Sequence, residues 1–199
     1  MSQTALGDAL PPPERSDELR RRLALRRSAP AQALVAPGPS EAELEEILAL
    51  GARTPDHGKL FPWRFVVLGP KSRAEIAERL AVLAETRDRP AKDQAALAKL
   101  TAAPVTILVV SAPVRNAKPI WEQQLSAGAV CMNLEHAAGT FGYYASWITD
   151  WYSYDAAAAA LFGVQDGETI AGFIHVGSLA EPPLERPRPD MAAKVTRRP

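Results

Sequence analysis

The chain has 199 residues, its 23 Lys and Arg are balanced by 23 Asp and Glu, and 47% of its residues are hydrophobic. That length suits one domain with tails, and a formal net charge of zero leaves no electrostatic footprint for nucleic acid or an anionic membrane. The one cysteine, Cys131, cannot close an internal disulfide, which suits a reducing cytoplasm, and no stretch approaches the ~20 apolar residues of a membrane-spanning helix.

In chain order, residues 1–15, with three prolines in a row, are expected as a flexible extended tail that lacks the apolar core of a secretory signal. Residues 16–199 are expected as a single domain. Ser16 is placed to cap a helix through "DELRRRLALRR", where Leu19, Leu23 and Ala24 form an apolar stripe. The Pro-rich "SAPAQALVAPGPS" stops it. Ser40 and Glu43 form a capping box for a second helix carrying Leu44, Ile47 and Leu48, which ends at Gly51 and Pro55. "WRFVVLG" reads as a buried strand. Ser72 and Glu75 read as another capping box opening a helix through "RAEIAERLAVLAE", and "TRDRPAKDQ" as a turn into a short exposed helix. "APVTILVVSAP" is β-branched and bounded by prolines, the strongest strand signal in the chain. A long helix follows over "PIWEQQLSAGAVCMNLEHAAGTFG", then a strand in "YYASWITDW", a short alanine helix closed by Gly163, and a last strand in "ETIAGFIHVGSL". Few strands separated by helices imply an α/β or α+β domain on one sheet.

Four segments could carry chemistry. Arg26, Arg27 and Ser28 end the first helix. Arginines there complement the helix dipole, but two guanidinium forks beside a hydroxyl also suit a phosphate or a carbonyl edge. Arg53, His57 and Lys59 lie in a loop stiffened by Pro55, Pro62 and Trp63, between a helix end and a strand. Such a loop is either solvated or a ligand grip that orders at low entropic cost. Ser126 to Ala129 are four small residues in an otherwise bulky helix, which implies a close crossing within the chain or against a second subunit. "GYYASWITDWYSYD" mixes aromatic and polar residues as a pocket wall would. His57, His136 and His175 have no metal-ligand spacing, and there is no P-loop, G-x-G-x-x-G turn or G-x-S-x-G elbow. His136, His175 and Cys131 read as structural residues.

Together these residues resemble the flavin-dependent nitroreductase family, in particular its short single-domain NAD(P)H nitroreductase branch. The resemblance runs from about residue 17 to 183, through "RRS", "GARTPDHGKLFPWRFVVL", "WEQQLSAGAVCMNLEHAAGTFGYYASWIT" and "IAGFIHVGSLAEPP", in the family's order. It implies an α+β fold with a central, mostly antiparallel sheet packed between helices, in an intertwined homodimer. It implies FMN held without a covalent bond by Arg26, Arg27 and Ser28, by Arg53 and His57, and by Trp147, Ile148 and Thr149, with Arg188 of the basic tail at the phosphate. Residues 137–142 match a stretch assigned to the nicotinamide nucleotide.

The resemblance further implies a ping-pong oxidoreductase. NADH or NADPH delivers hydride to FMN, and a small electron-poor acceptor, such as a nitroaromatic or quinone, then takes the electrons. No side chain is needed as nucleophile or metal ligand. The alternative is a flavin-binding family member that binds a ligand or partner without turning over an acceptor.

Overall fold

A computed structural model describes residues 5–198. Four strands, β1 (Trp63–Leu68), β2 (Val105–Ser111), β3 (Tyr144–Ile148) and β4 (Thr169–Gly177), form one sheet in the order β1-β2-β4-β3. Every neighbouring pair is antiparallel. Among the described residues six α-helices accompany it: α1 (Asp17–Leu25), α2 (Glu41–Gly51), α3 (Pro70–Thr86), α4 (Ala91–Ala102), α5 (Ile120–Thr140) and α6 (Ala156–Ala160). The expected α+β architecture, an antiparallel sheet between helices, is what these residues build.

The period of two along β2 and β4 feeds two cores. Ile107, Val109, Ile174 and Val176 face α2 and α5, meeting Leu44, Ile47, Val130 and Leu134. Leu108, Val110 and Phe173 face the other way, onto Leu80, Leu100, Tyr152 and Phe162. With helices on both faces, the central strands read as continuous apolar runs rather than alternating ones. The α2–α5 crossing is close because Gly51 lacks a side chain: a Cβ there would lie 2.5 Å from Leu134 Cδ2.

Ser16 caps α1 by accepting from Leu19 N at 3.1 Å, and the Ser40–Glu43 capping box is present at α2. Other expectations need correction. β1 is an edge strand, half-buried along most of its length rather than buried, because only β2 pairs with it. The second capping box does not form: Pro70 opens α3 at its first turn with Gly69 as the cap, which places Ser72 and Glu75 inside the helix. α4 is not an exposed turn of helix, since Ala96, Leu97 and Leu100 are buried against the sheet. The α1 stripe finds no core in the protomer, and Leu19, Leu23 and Leu25 are all exposed.

Residues 5–15 are exposed and outside any helix or strand, and the first four residues of the expected tail lie outside the described residues. Among the described residues no helix is long and apolar enough to cross a membrane. Cys131 is a free core thiol whose pKa burial pushes up to about 12, as a structural cysteine requires.

Candidate functional site

The segment after α1 lies beside β3 through Ala29 N–H to Ala145 O at 2.9 Å. This brings Arg26 and Ser28 to the C-terminal half of α5. Arg26 Nη1 donates to Ser28 Oγ at 3.1 Å and to Glu135 Oε2 at 3.3 Å. The other carboxylate oxygen, Oε1, accepts from Trp147 N–H at 3.0 Å. Glu135 is only 8% exposed. Burial raises its pKa, opposed by the Arg26 charge and by the bonds it accepts from Trp147, Ser28 and Arg26. The neighbouring His136 is pushed down, first by burial and then by Arg26.

The C-terminal segment returns to the same place. Arg27 Nε donates to Leu184 O at 2.8 Å, and Arg188 Nη2 donates to Arg26 O at 3.2 Å while pairing with Glu185 at 2.9 Å. Segments more than 150 residues apart in sequence therefore meet, each sending a guanidinium to the other's main chain. Trp147 meets this cluster through its main-chain amide on Glu135, while its side chain lies over the sheet. Its indole Nε1 donates to Ala171 O at 3.1 Å, and the ring covers Gly172, where any Cβ would run into it. Ile148 pairs with Phe173 in the sheet, and the Thr149 hydroxyl meets Tyr154 Oη at 2.6 Å.

A cleft of about 320 Å³ opens between α1, the end of α5 and the start of β3. Arg22, Arg26, Arg27, Glu135 and His136 line it, together with Gly139, Thr140 and Gly142. His136, which reads as structural in the sequence, thus faces a cleft. The glycines of the 137–142 stretch are wall rather than core, and the Arg22 guanidinium donates to Gly139 O.

The Arg53–His57 loop lies elsewhere. His57 Nδ1 sits 2.7 Å from Glu122 Oε2, in the first turn of α5. Ser126 Oγ donates to Pro55 O at 2.9 Å and accepts from Trp63 Nε1 at 3.3 Å, and Asn133 Nδ2 donates to Thr54 Oγ1 at 2.7 Å. These bonds hold the loop against α5. Arg53 is exposed, and its guanidinium has no acceptor among the described residues. Glu122 and Glu135 are thirteen residues apart on one helix, a rise of about 20 Å. Within a single protomer the structure joins Arg26, Arg27, Ser28 and Arg188, with the Trp147 amide tied in through Glu135; it leaves His57 at the other end of α5, and Arg53, next to Thr54 on Asn133, on a different face of that helix from Glu135.

The small residues of α5 divide between roles. Ser126 and Ala127 pack inside the protomer and Gly128 faces the Trp147 ring. Trp121, Leu125 and Ala129, at i, i+4 and i+8, form an exposed apolar row. Glu135 is the residue that the sequence reading missed. Its signal is a lone acid between Leu134 and Ala137 in a helix apolar on several sides, where a carboxylate needs a partner.

The nitroreductase family model matches residues 25–178. An Escherichia coli K12 protein named "Putative NAD(P)H nitroreductase YdjA" is 34% identical over 152 residues, covering 74% of this chain and 82% of its own. A Haemophilus influenzae protein of like name is 32% identical over 148 residues, covering 73% and 80%. Among solved structures, a nitroreductase-like family protein from Bacillus cereus superposes with a TM-score of 0.76 at 20% identity, over 94% of this chain and 98% of that one. A Bacteroides fragilis nitroreductase with bound FMN gives a TM-score of 0.68 at 21% identity, over 91% and 98%. With its matched span covering most of the sequence, the chain belongs to the nitroreductase family.

Proposed function

We propose that the protein is an FMN-dependent NAD(P)H oxidoreductase that passes electrons to a small electron-poor acceptor such as a nitroaromatic or quinone. The observation that carries this reading is the meeting of Arg26, Arg27, Ser28 and Arg188, tied through Glu135 to the main-chain amide of Trp147 at the end of β3. The curated relatives named as NAD(P)H nitroreductases, and the FMN-bound Bacteroides fragilis neighbour, support the same reading.

The donor set fits FMN chemically. Arg27, Ser28 and Arg188 supply the guanidinium and hydroxyl donors that a phosphate monoester needs. Arg26 already pairs with Glu135, so it suits a neutral, polar edge such as the pyrimidine carbonyls better than a doubly charged phosphate. Trp147 offers a flat apolar surface, and Thr149 a hydroxyl beside it.

When bound, FMN supplies the two-electron carrier between nicotinamide and acceptor. The chain's own residues bind and orient it. Guanidinium groups in a half-buried site favour the negative charge that arrives on reduction. The cleft between α1 and residues 139–142, with Arg22 and Arg27 on its wall, suits the anionic NAD(P)H. A ping-pong order follows if donor and acceptor take turns at one face of the ring. A cytoplasmic setting, where NAD(P)H is available, belongs to this reading.

The reading includes a homodimer. His57 lies about 20 Å along α5 from Glu135, and Arg53 adjoins Thr54, which Asn133 holds on a different face of that helix, so in this reading a second protomer presents the loop to the site. The uncovered Trp121–Leu125–Ala129 row and the bare α1 stripe are apolar surface that a second copy would bury.

The test is the absorption spectrum of the freshly purified protein, followed by NADH and NADPH oxidation with and without a nitroaromatic. Flavin bands and acceptor-dependent turnover are expected. Bound flavin without acceptor turnover would favour the ligand-binding alternative. A colourless protein that gains no thermal stability from added FMN would overturn the proposal.

A further inference from the structure

Glu135 is the buried ionisable group that the flavin-binding reading leaves without a role. Its side chain is 5% exposed, against 28% for its partner Arg26. Its two oxygens serve different segments: Oε2 takes the Arg26 guanidinium and Oε1 takes the Trp147 main-chain amide. A carboxylate in the interior is costly, and a leucine or glutamine of similar volume would fill the space on α5 without that cost.

We infer that Glu135 is a positioning residue for the flavin, holding the Arg26–Ser28 segment in register with the Trp147–Thr149 segment and setting, by its charge on Arg26, how readily the bound flavin takes up electrons. The inference rests on the flavin reading above. The geometric part follows from the bridge. Each oxygen fixes one wall, so moving the carboxylate shifts the two walls relative to each other.

The electrostatic part follows from the pairing. Two-electron reduction adds negative charge to the flavin. A guanidinium with no counterion attracts that charge strongly in a water-poor site, and one already paired attracts it less. The other charged or titratable groups nearby are Arg27, Arg188 with its own partner Glu185, His136 next along α5, and Cys131 one turn back. Among the described residues Glu135 is the one carboxylate on Arg26. Burial pulls its pKa up while Arg26 pulls it down, so its charge depends on the Arg26 contact being kept.

The test is the midpoint potential of FMN bound to the native chain, to Glu135→Gln and to Glu135→Asp, by spectroscopic redox titration, with FMN dissociation constants alongside. Glutamine keeps the shape and removes the charge. The expected result is a rise in potential of at least about 30 mV, a tenfold gain in affinity for reduced over oxidised FMN for a two-electron couple. Aspartate, which keeps the charge, is expected to restore most of it. A merely structural glutamate would weaken both oxidation states equally, so an unmoved potential in the glutamine variant overturns the inference. If the glutamine variant does not fold, the aspartate variant decides. Its carboxylate is withdrawn by one methylene, which shifts one wall against the other while keeping the charge, so a near-native potential with weakened FMN affinity is expected and a native FMN affinity would refute the role. A native chain that takes up no flavin would instead sink the flavin reading itself.

Discussion

Arg73 and His175 share the hydroxyl of Thr106. The Arg73 Nη1 donates to Thr106 Oγ1 at 3.2 Å, and the same oxygen lies 2.9 Å from His175 Nδ1. Because the hydroxyl accepts from arginine, its own hydrogen is free to go to Nδ1. The imidazole proton then sits on Nε2, which has no partner among the described residues. Burial, and after it the Arg73 charge, depress the His175 pKa to about 4.

The consequence is acid sensitivity. The folded pKa lies below the ordinary 6.5, so neutral His175 contributes stability that is present above that value and lost as pH falls through about 4. The loss across this window is about 3 kcal/mol. Urea unfolding from pH 7 to pH 4 is expected to show a shallower decline in His175→Gln than in the native chain. Parallel declines would refute the assignment.

Arg73 is fully buried without a carboxylate among the described residues, and it donates to Leu100 O and Pro104 O, both at 3.0 Å. It therefore ties the C-terminal end of α4 to the start of β2. Arg73→Met keeps the volume but leaves those carbonyls unpaired, at a cost of about 2–4 kcal/mol. Denaturant midpoints measure the cost. The same variant removes a positive charge facing His175, so an NMR titration should find the imidazole pKa raised. A native pKa would disprove the coupling.

Gly172 is glycine because the Trp147 ring lies on it. Gly172→Ala is expected to push the indole off Ala171 O, shift tryptophan emission to the red, and weaken FMN binding on the order of tenfold. Unchanged emission and affinity would mean that Trp147 is not fixed in this way.

Arg53→Ala separates binding from folding. With no acceptor for its guanidinium among the described residues, its loss should change stability by no more than ~0.5 kcal/mol. The purified variant should nevertheless retain less FMN, as Arg26→Ala should. Equal flavin content in native protein and both variants would count against a shared site.

Leu125 is 54% exposed in the middle of the α5 apolar row. Leu125→Asp is expected to yield monomers in sedimentation velocity runs and to lose bound flavin in parallel. A stable dimer in that variant would place the interface elsewhere.

Much of this was legible in the residues. Ser16 and Ser40 cap their helices because a hydroxyl followed by helix-favouring residues satisfies local amides, and nothing distant competes. The β2 and β4 runs declare strands through β-branching and length. The Ser72–Glu75 pair misleads for the opposite reason. Pro70, two residues earlier, already has the backbone angle of a first turn, so the helix starts there. The α4 burial is hidden because its apolar residues are mainly alanines, which look alike on a wet or a dry face.

By itself, then, the sequence determined most of the segments that are helix or strand, since those depend on neighbours a few residues away, while its local pattern left α/β and α+β both open and only the family resemblance pointed to α+β. Only the tertiary structure decided that Arg188 returns to Arg26, that Glu135 bridges Arg26 to the Trp147 amide, and that His57 meets Glu122 at the first turn of α5. Those are contacts between residues from 12 to more than 160 positions apart, set by how the sheet orders its strands and where a long helix lies across them, and no local pattern encodes them.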